Sequence, residues 1–253
     1  MNSFLLHTKT KRTTEQRFPT EDFCMQKLVL VRHGQSQWNL ENRFTGWVDA
    51  PLTEKGLQEA QNAGQLLKKQ NFVFQKAFTS YLQRAIKTLW VILEETNQYW
   101  IPVEKDWRLN ERHYGGLQGL NKQETRDKYG EEQVFEWRRS YATLPPEAEG
   151  PLQEEQMQDR RYQEIPQGQF PKGEALKHCL ERVQPYWENR IKKEMALGGD
   201  FLISAHGNSL RALIKLLTGM DEQEITQFEF ETGVPLVCEL ETDFSIKEMN
   251  WLK

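Results

Sequence analysis

The sequence predicts an α/β fold: a doubly wound, mostly parallel sheet flanked by helices. Three observations predict it. Short buried runs of Leu, Val and Ile alternate with segments whose apolar residues recur at helical spacing. Two of those runs end in the same pair, His33-Gly34 and His206-Gly207. The chain has 253 residues, a length that one large α/β domain or two small ones fill.

Taken in order, residues 1–26 are polar, Thr-rich and without periodicity. Phe4-Leu5-Leu6 is too short for a secretory core, so a flexible extension is expected there. A single catalytic domain is expected over 27–253. Lys27 to Gly34 is a β-branched and Leu run bounded by Gly, the pattern of a buried strand. Thr53 is placed to cap a helix through about Lys69, with Leu57, Ala60, Gly64 and Leu67 at helical spacing. Ala77 to Ser80 is a second short strand. Leu82 to Glu95 is a helix with Ala85, Leu89, Ile92 and Leu93 inward. The Pro/Glu/Gln-rich stretch from Pro145 to Lys172 is expected to be a loop and a partial cover for the site. Leu176 to Met195 is a helix with Pro185 as a kink, carrying Leu176, Leu180, Val183 and Trp187 in register. Phe201 to Gly207 is another buried strand, and a helix follows to about Leu217.

Composition narrows the function. There are 33 basic and 37 acidic residues, a net charge of −4. That balance argues against a dedicated binder of nucleic acid or of anionic membrane, both of which repel acidic surfaces. The longest apolar run, Leu89 to Leu93, is far short of the roughly 20 residues of a membrane span. Cys24, Cys179 and Cys238 are odd in number and scattered. They make neither a disulfide framework nor a zinc cluster, and they suit a reducing cytoplasm.

The paired His-Gly motifs carry the chemistry. Ligands of doubly wound sheets bind beyond the carboxyl ends of the strands, so two distant imidazoles can meet in one crevice. A Gly after each His lets the backbone turn and an anion approach. Arg32 abuts His33, Arg84 opens the next helix, and Asn39, Thr45 and Asn208 add neutral donors. Arginine forks match phosphate oxygens. A neutral His among them can attack phosphorus and carry the phosphoryl group. Zinc fits poorly, because no His-x-x-x-His or Cys pairing exists and flanking arginines repel a cation. A serine-hydrolase reading lacks its Gly-x-Ser-x-Gly elbow.

Longer blocks sharpen this. Leu28 to Ser36 resembles the arginine-histidine-glycine signature of the histidine phosphatase superfamily. Gln37 to Trp47, Leu109 to Gly115, Leu117 to Lys122, Trp137-Arg138-Arg139 and Ala205 to Arg211 resemble blocks of the 2,3-bisphosphoglycerate-dependent phosphoglycerate mutases. The likeness runs from about Lys27 to Leu252.

The resemblance implies that His33 becomes phosphohistidine, with Arg32, Arg84 and His206 around the transferred group and Asn39 assisting. It implies Glu111 as proton donor and acceptor, although composition alone makes Glu111 a surface partner of Arg112. Ser36, Thr45, Gly46, Tyr114, Lys122, Arg138, Arg139 and Asn208 are implied substrate contacts. The implied reaction interconverts 3- and 2-phosphoglycerate, primed by 2,3-bisphosphoglycerate and without a metal; a homodimer is implied by the resemblance alone. The rival readings are a phosphatase of small phosphorylated metabolites on the same site, and a catalytically dead binder of phosphorylated ligands.

Three departures from the family stand out. Gln35 replaces a frequent Glu beside the nucleophile, which removes one negative charge. Gly173 stands where Ser or Thr often precedes a Glu, so a changed helix cap is expected. The given sequence stops at Lys253, where relatives continue with a Gly-rich tail over the site. The expectation is a phosphoenzyme more open to water.

Overall fold

The computed structural model describes residues 26–166 and 168–253. The expected extension, Gln26 apart, and Cys24 lie outside the described residues. In chain order the elements are β1 (Lys27–Arg32), α1 (Gln37–Leu40), α2 (Glu54–Lys69), β2 (Phe74–Thr79), α3 (Gln83–Glu95) and β3 (Val103–Lys105). Next come α4 (Lys122–Tyr129), α5 (Glu131–Arg139), α6 (Pro151–Gln158), α7 (Leu176–Tyr186) and α8 (Lys192–Met195). The chain closes with β4 (Asp200–Ala205), α9 (Gly207–Thr218), α10 (Glu222–Gln227), β5 (Pro235–Leu240) and β6 (Ile246–Trp251).

The strand order is β3-β2-β4-β1-β5-β6. The first four are mutually parallel; β5 and β6 are antiparallel additions on one side. The mixed α/β class with a mostly parallel sheet is therefore present, and the β5–β6 hairpin is an element that the sequence reading missed. Alternation along the strands splits the core in two. Val29, Val31, Leu202 and Val237 face Ala63, Leu67, Leu89 and Ile92 of α2 and α3. Leu28, Leu30, Ile203 and Leu236 face Cys179 and Val183 of α7 and Leu210 and Leu213 of α9.

Thr53 caps α2 as expected, its side chain accepting from the Gly56 N–H at 3.0 Å. Leu57 is only half-buried, however, and Gly56 takes the inward position. A Cβ on Gly34 would stand 2.1 Å from the Gly56 carbonyl oxygen. Gly34 is thus required by close packing of the strand end on α2. Cys179 and Cys238 are both free and buried.

Two expectations need correction. The stretch from Pro145 to Lys172 is not simply a loop. Pro151 starts α6 at a position where its missing N–H costs nothing, and Tyr162 and Ile165 bury with Trp47 and Trp107. Gln156 sits inside, its Oε1 3.1 Å from His113 Nε2. No described residue of the stretch lines the cavity set out below, so it braces the site from behind. Likewise Gly173 is not a helix cap: Ala175 holds that position in front of α7, with no side-chain cap bond. The helix from Leu176 does change at Pro185, widening into a π turn over Trp187–Ile191 before α8. A proline has no N–H for the ladder, which is the physical reason for the break. Among the described residues, no helix is long and apolar enough to cross a membrane.

Candidate active site

β1 and β4 deliver the two histidines. Their register sets Arg32 opposite Ala205, and the His33 N–H donates to the Ala205 carbonyl at 3.0 Å. The two rings consequently meet edge to face, with centroids 4.9 Å apart. His33 Nδ1 lies 2.7 Å from the Gly34 carbonyl. That oxygen only accepts, so Nδ1 carries the proton and Nε2 keeps its lone pair. Arg84 Nε donates to this lone pair at 3.2 Å. Burial first, then the charges of Arg84 and Arg32, hold the His33 pKa well below the ordinary value. The result is a neutral imidazole with its unprotonated nitrogen among cations, the protonation state a nucleophile toward phosphorus needs.

Arg84 is itself sealed in. Its NH1 and NH2 donate to the carbonyls of Val48 at 2.9 Å and Gly46 at 2.8 Å. Burial lowers its pKa to about 10, so it remains charged at neutral pH. Arg32 NH1 donates to the Phe230 carbonyl at 2.8 Å. Arg32 Nε and Thr45 Oγ1 are buried beside the same space with no partner among the described residues. Buried donors of this kind are rarely left alone, and they suit the oxygens of an anionic ligand.

Glu111 is buried rather than a surface partner of the Arg112 guanidinium. Its Oε1 accepts from the Arg112 N–H at 2.6 Å and from Asn208 N and Nδ2 at 3.3 and 2.7 Å. Oε2 accepts no hydrogen bond among the described residues and faces Gly207, where an added Cβ would stand 3.9 Å away. The carboxylate is thus held by one oxygen and keeps the other for proton transfer. Its carbonyl is pinned as well, accepting from Trp47 Nε1 at 2.6 Å and from Arg182 NH2 at 3.0 Å.

A single cavity is lined by Arg32, His33, Arg84, Glu111 and Asn208 together with Asn39, Thr45, Gly46 and Tyr114. Its more exposed wall carries Lys122, Arg138 and Arg139 from α4 and α5. All but two of the fourteen expected site residues therefore converge. The exceptions are Ser36 and His206, both fully buried behind the wall. Ser36 caps α1 and its hydroxyl donates to Asn39 Oδ1 at 2.9 Å. His206 Nε2 lies 2.8 Å from Ser80 Oγ, and burial, then Arg84 and His33, push its pKa well down.

Arg43, Arg211, Glu229 and Phe230 also line the cavity and were missed. Arg211 had a signal: it lies one turn along α9 from Asn208, on the same face. Its NH2 donates to Asn208 Oδ1 at 2.7 Å. Glu229 and Phe230 had none, because they come from the loop before β5. Gln35 points away, accepting from Thr53 at 3.1 Å through Oε1, and its N–H donates to Glu59 Oε2 at 2.7 Å.

The cavity is strongly cationic: seven Arg and Lys side chains line it against two carboxylates, Glu111 and Glu229. Burial lowers the pKa of Lys122, Arg138 and Arg211; Tyr114 opposes the shift, and neighbouring arginines add to it. Cations packed this way repel one another and are stabilised by an anion.

The sequence matches the profile of the histidine phosphatase superfamily (branch 1) over residues 28–161 and 151–251. Among solved structures, the chain is similar to a mycobacterial glucosyl-3-phosphoglycerate phosphatase in complex with VO3. That likeness has 24% identity, covers 89% of this chain and 95% of the other, and has a TM-score of 0.66. An alpha-ribazole phosphatase from Shigella flexneri is similar at 22% identity over 88% of this chain and 96% of the other, with a TM-score of 0.65.

Proposed function

The chain belongs to the histidine phosphatase superfamily, branch 1, whose members act on phosphoryl groups, and on that premise we propose that it interconverts 3- and 2-phosphoglycerate through a phosphohistidine at His33. The observation that carries the reading is the pair of cationic walls in one cavity. Arg32 and Arg84 surround His33, while Lys122, Arg138 and Arg139 supply a second group of charges. A single phosphate needs only the first group. A phosphorylated carboxylate needs both.

In this reading His33 Nε2 attacks phosphorus and the ester P–O bond breaks. Glu111, entering this half-reaction as the carboxylic acid protonated on Oε2, gives that proton to the departing alkoxide and becomes the carboxylate. In the reverse half a substrate hydroxyl loses its proton to Glu111 and attacks the phosphohistidine. Arg32 and Arg84 neutralise the oxygens in transfer. His206 buttresses the His33 ring. 2,3-Bisphosphoglycerate, the implied primer, would be held by the same two walls and supplies the phosphoryl group that first loads His33. The buried donors Arg32 Nε and Thr45 Oγ1 fit such an oxygen-rich ligand.

A second reading keeps the site and makes water the acceptor: a phosphatase of small phosphorylated metabolites. The similar solved structures favour it, since both are named phosphatases. One experiment separates the two. Isomerisation of 3-phosphoglycerate is followed with and without 2,3-bisphosphoglycerate, and free phosphate is measured in the same samples. The mutase reading expects primer-dependent isomerisation with little phosphate released. Phosphate release without isomerisation would leave the phosphatase.

A further inference from the structure

Two cations of the cavity already hold a carboxylate, Arg43 with Glu41 at 2.9 Å and Arg139 with Glu229, and only the second pair has both partners on the cavity wall. Arg139, the last residue of α5, donates through NH2 to Glu229 Oε1 at 2.5 Å. The pair joins α5 to the loop between α10 and β5. Both residues also line the adjoining groove between α5 and α10, so the ion pair is part of the partition between groove and cavity. Neither Lys122 nor Arg138 has a carboxylate at ion-pair distance among the described residues.

Glu229 is built to let go. Its side chain is 64% exposed, against 32% for Arg139, and an exposed pair holds its partners weakly. The backbone beside it is anchored, because the next carbonyl, of Phe230, accepts from Arg32 and the Gly233 N–H donates to the Arg32 carbonyl at 2.9 Å. The carboxylate can therefore swing outward by its own rotamers while the loop stays in place. A ligand anion arriving at Arg139 also meets Arg138 and Lys122, charges that Glu229 does not pair with.

We propose that Glu229 is a specificity-determining residue: its carboxylate occupies Arg139 in place of the ligand's second anionic group and is displaced when that group binds. Glu229 thereby sets how strongly the site prefers a phosphorylated carboxylate to a simple phosphate ester. The proposal rests on the reading of the cavity as a site for small ligands with two anionic groups. The alternative role, in which Glu229 orients Arg139 for the ligand, has the opposite sign: removing the carboxylate would then weaken binding.

The test is calorimetric titration of the full chain with 3-phosphoglycerate and with glycerol 3-phosphate. The two ligands have the same length, and only the first has the second anionic group. Glu229→Gln is expected to tighten 3-phosphoglycerate binding about two- to fivefold and to leave glycerol 3-phosphate within error. In an Arg139→Gln background the same substitution is expected to do nothing. Weaker binding of 3-phosphoglycerate, an equal change for both ligands, or an effect that survives Arg139→Gln overturns the proposal. A wild-type chain that shows the ligand preference but no isomerisation refutes the mutase reading alone. A chain that binds neither ligand overturns both.

Discussion

The two walls of the cavity are built differently. His33 hangs from the end of a central strand, and Arg84 from the first turn of a helix packed on the sheet, both nearly sealed from solvent. Lys122, Arg138, Arg139 and Glu229 come from two short helices and a loop; the three cations are only half-buried and Glu229 is exposed. The first wall has its tautomer, charge and hydrogen bonds settled before any ligand arrives. The second offers charge that rotamers can redistribute. The difference teaches a division of labour: preorganised charge belongs where the transition state forms, and adjustable charge belongs where one ligand is told from another.

The largest expected effect falls on the rigid wall. Arg84→Ala removes a charge in contact with Nε2 and should lower turnover at saturating substrate by roughly 10³-fold, read as kcat from initial rates. A loss confined to KM would mean that Arg84 only binds, and the comparison would fail.

Acid should also strike the buried side first. His33, His206 and His113 are all neutral in the fold, chiefly because burial lowers their pKa, His113 to about 4. The unfolded chain binds these protons near pH 6.5, so it holds more of them than the native state as pH falls below that value. Stability is complete above pH 6.5 and is lost on acidification. His113 alone is worth roughly 3 kcal/mol between pH 6.5 and pH 4. Urea midpoints measured from pH 7.5 down to pH 4.5 should fall steadily below pH 6.5, and a flat profile would refute the assignment.

The smallest effect should come from the adjustable wall. Arg138→Ala removes a grip on the ligand and should raise KM by about tenfold with little change in kcat. A fall in kcat comparable to that of Arg84→Ala would erase the distinction between the walls.

The same division governs how much was legible in the sequence. The strand ends were readable because a buried run followed by His-Gly is a local signal, and β1 and β4 then follow from the βα pattern. Their register could only be seen in the sheet, yet it decides that His33 and His206 touch. Gly34 was expected to serve a turn and an approaching anion; its actual constraint is the Gly56 carbonyl, contributed by a helix 22 positions later. The stretch from Pro145 to Lys172 looked like a loop because Gln, Glu and Pro hide the burial of Gln153, Gln156 and Tyr162. Polar residues inside a fold are invisible to apolar periodicity. Glu229 was equally invisible, since a single acidic residue in a loop has no period and acquires meaning only beside Arg139. The site residues implied by the long motif blocks largely converge, whereas the backing residues Glu174 and Arg182, joined at 2.7 Å under the Glu111 loop, had no motif.

The central claim is that His33 Nε2 carries the phosphoryl group. Its most direct test is incubation of the full chain with labelled 2,3-bisphosphoglycerate, followed by acid and base treatment and peptide mapping. The expected result is a stoichiometric adduct on His33, labile to acid, stable to base and absent from His33→Ala. Turnover without such an adduct, or an adduct that persists in His33→Ala, would contradict the account.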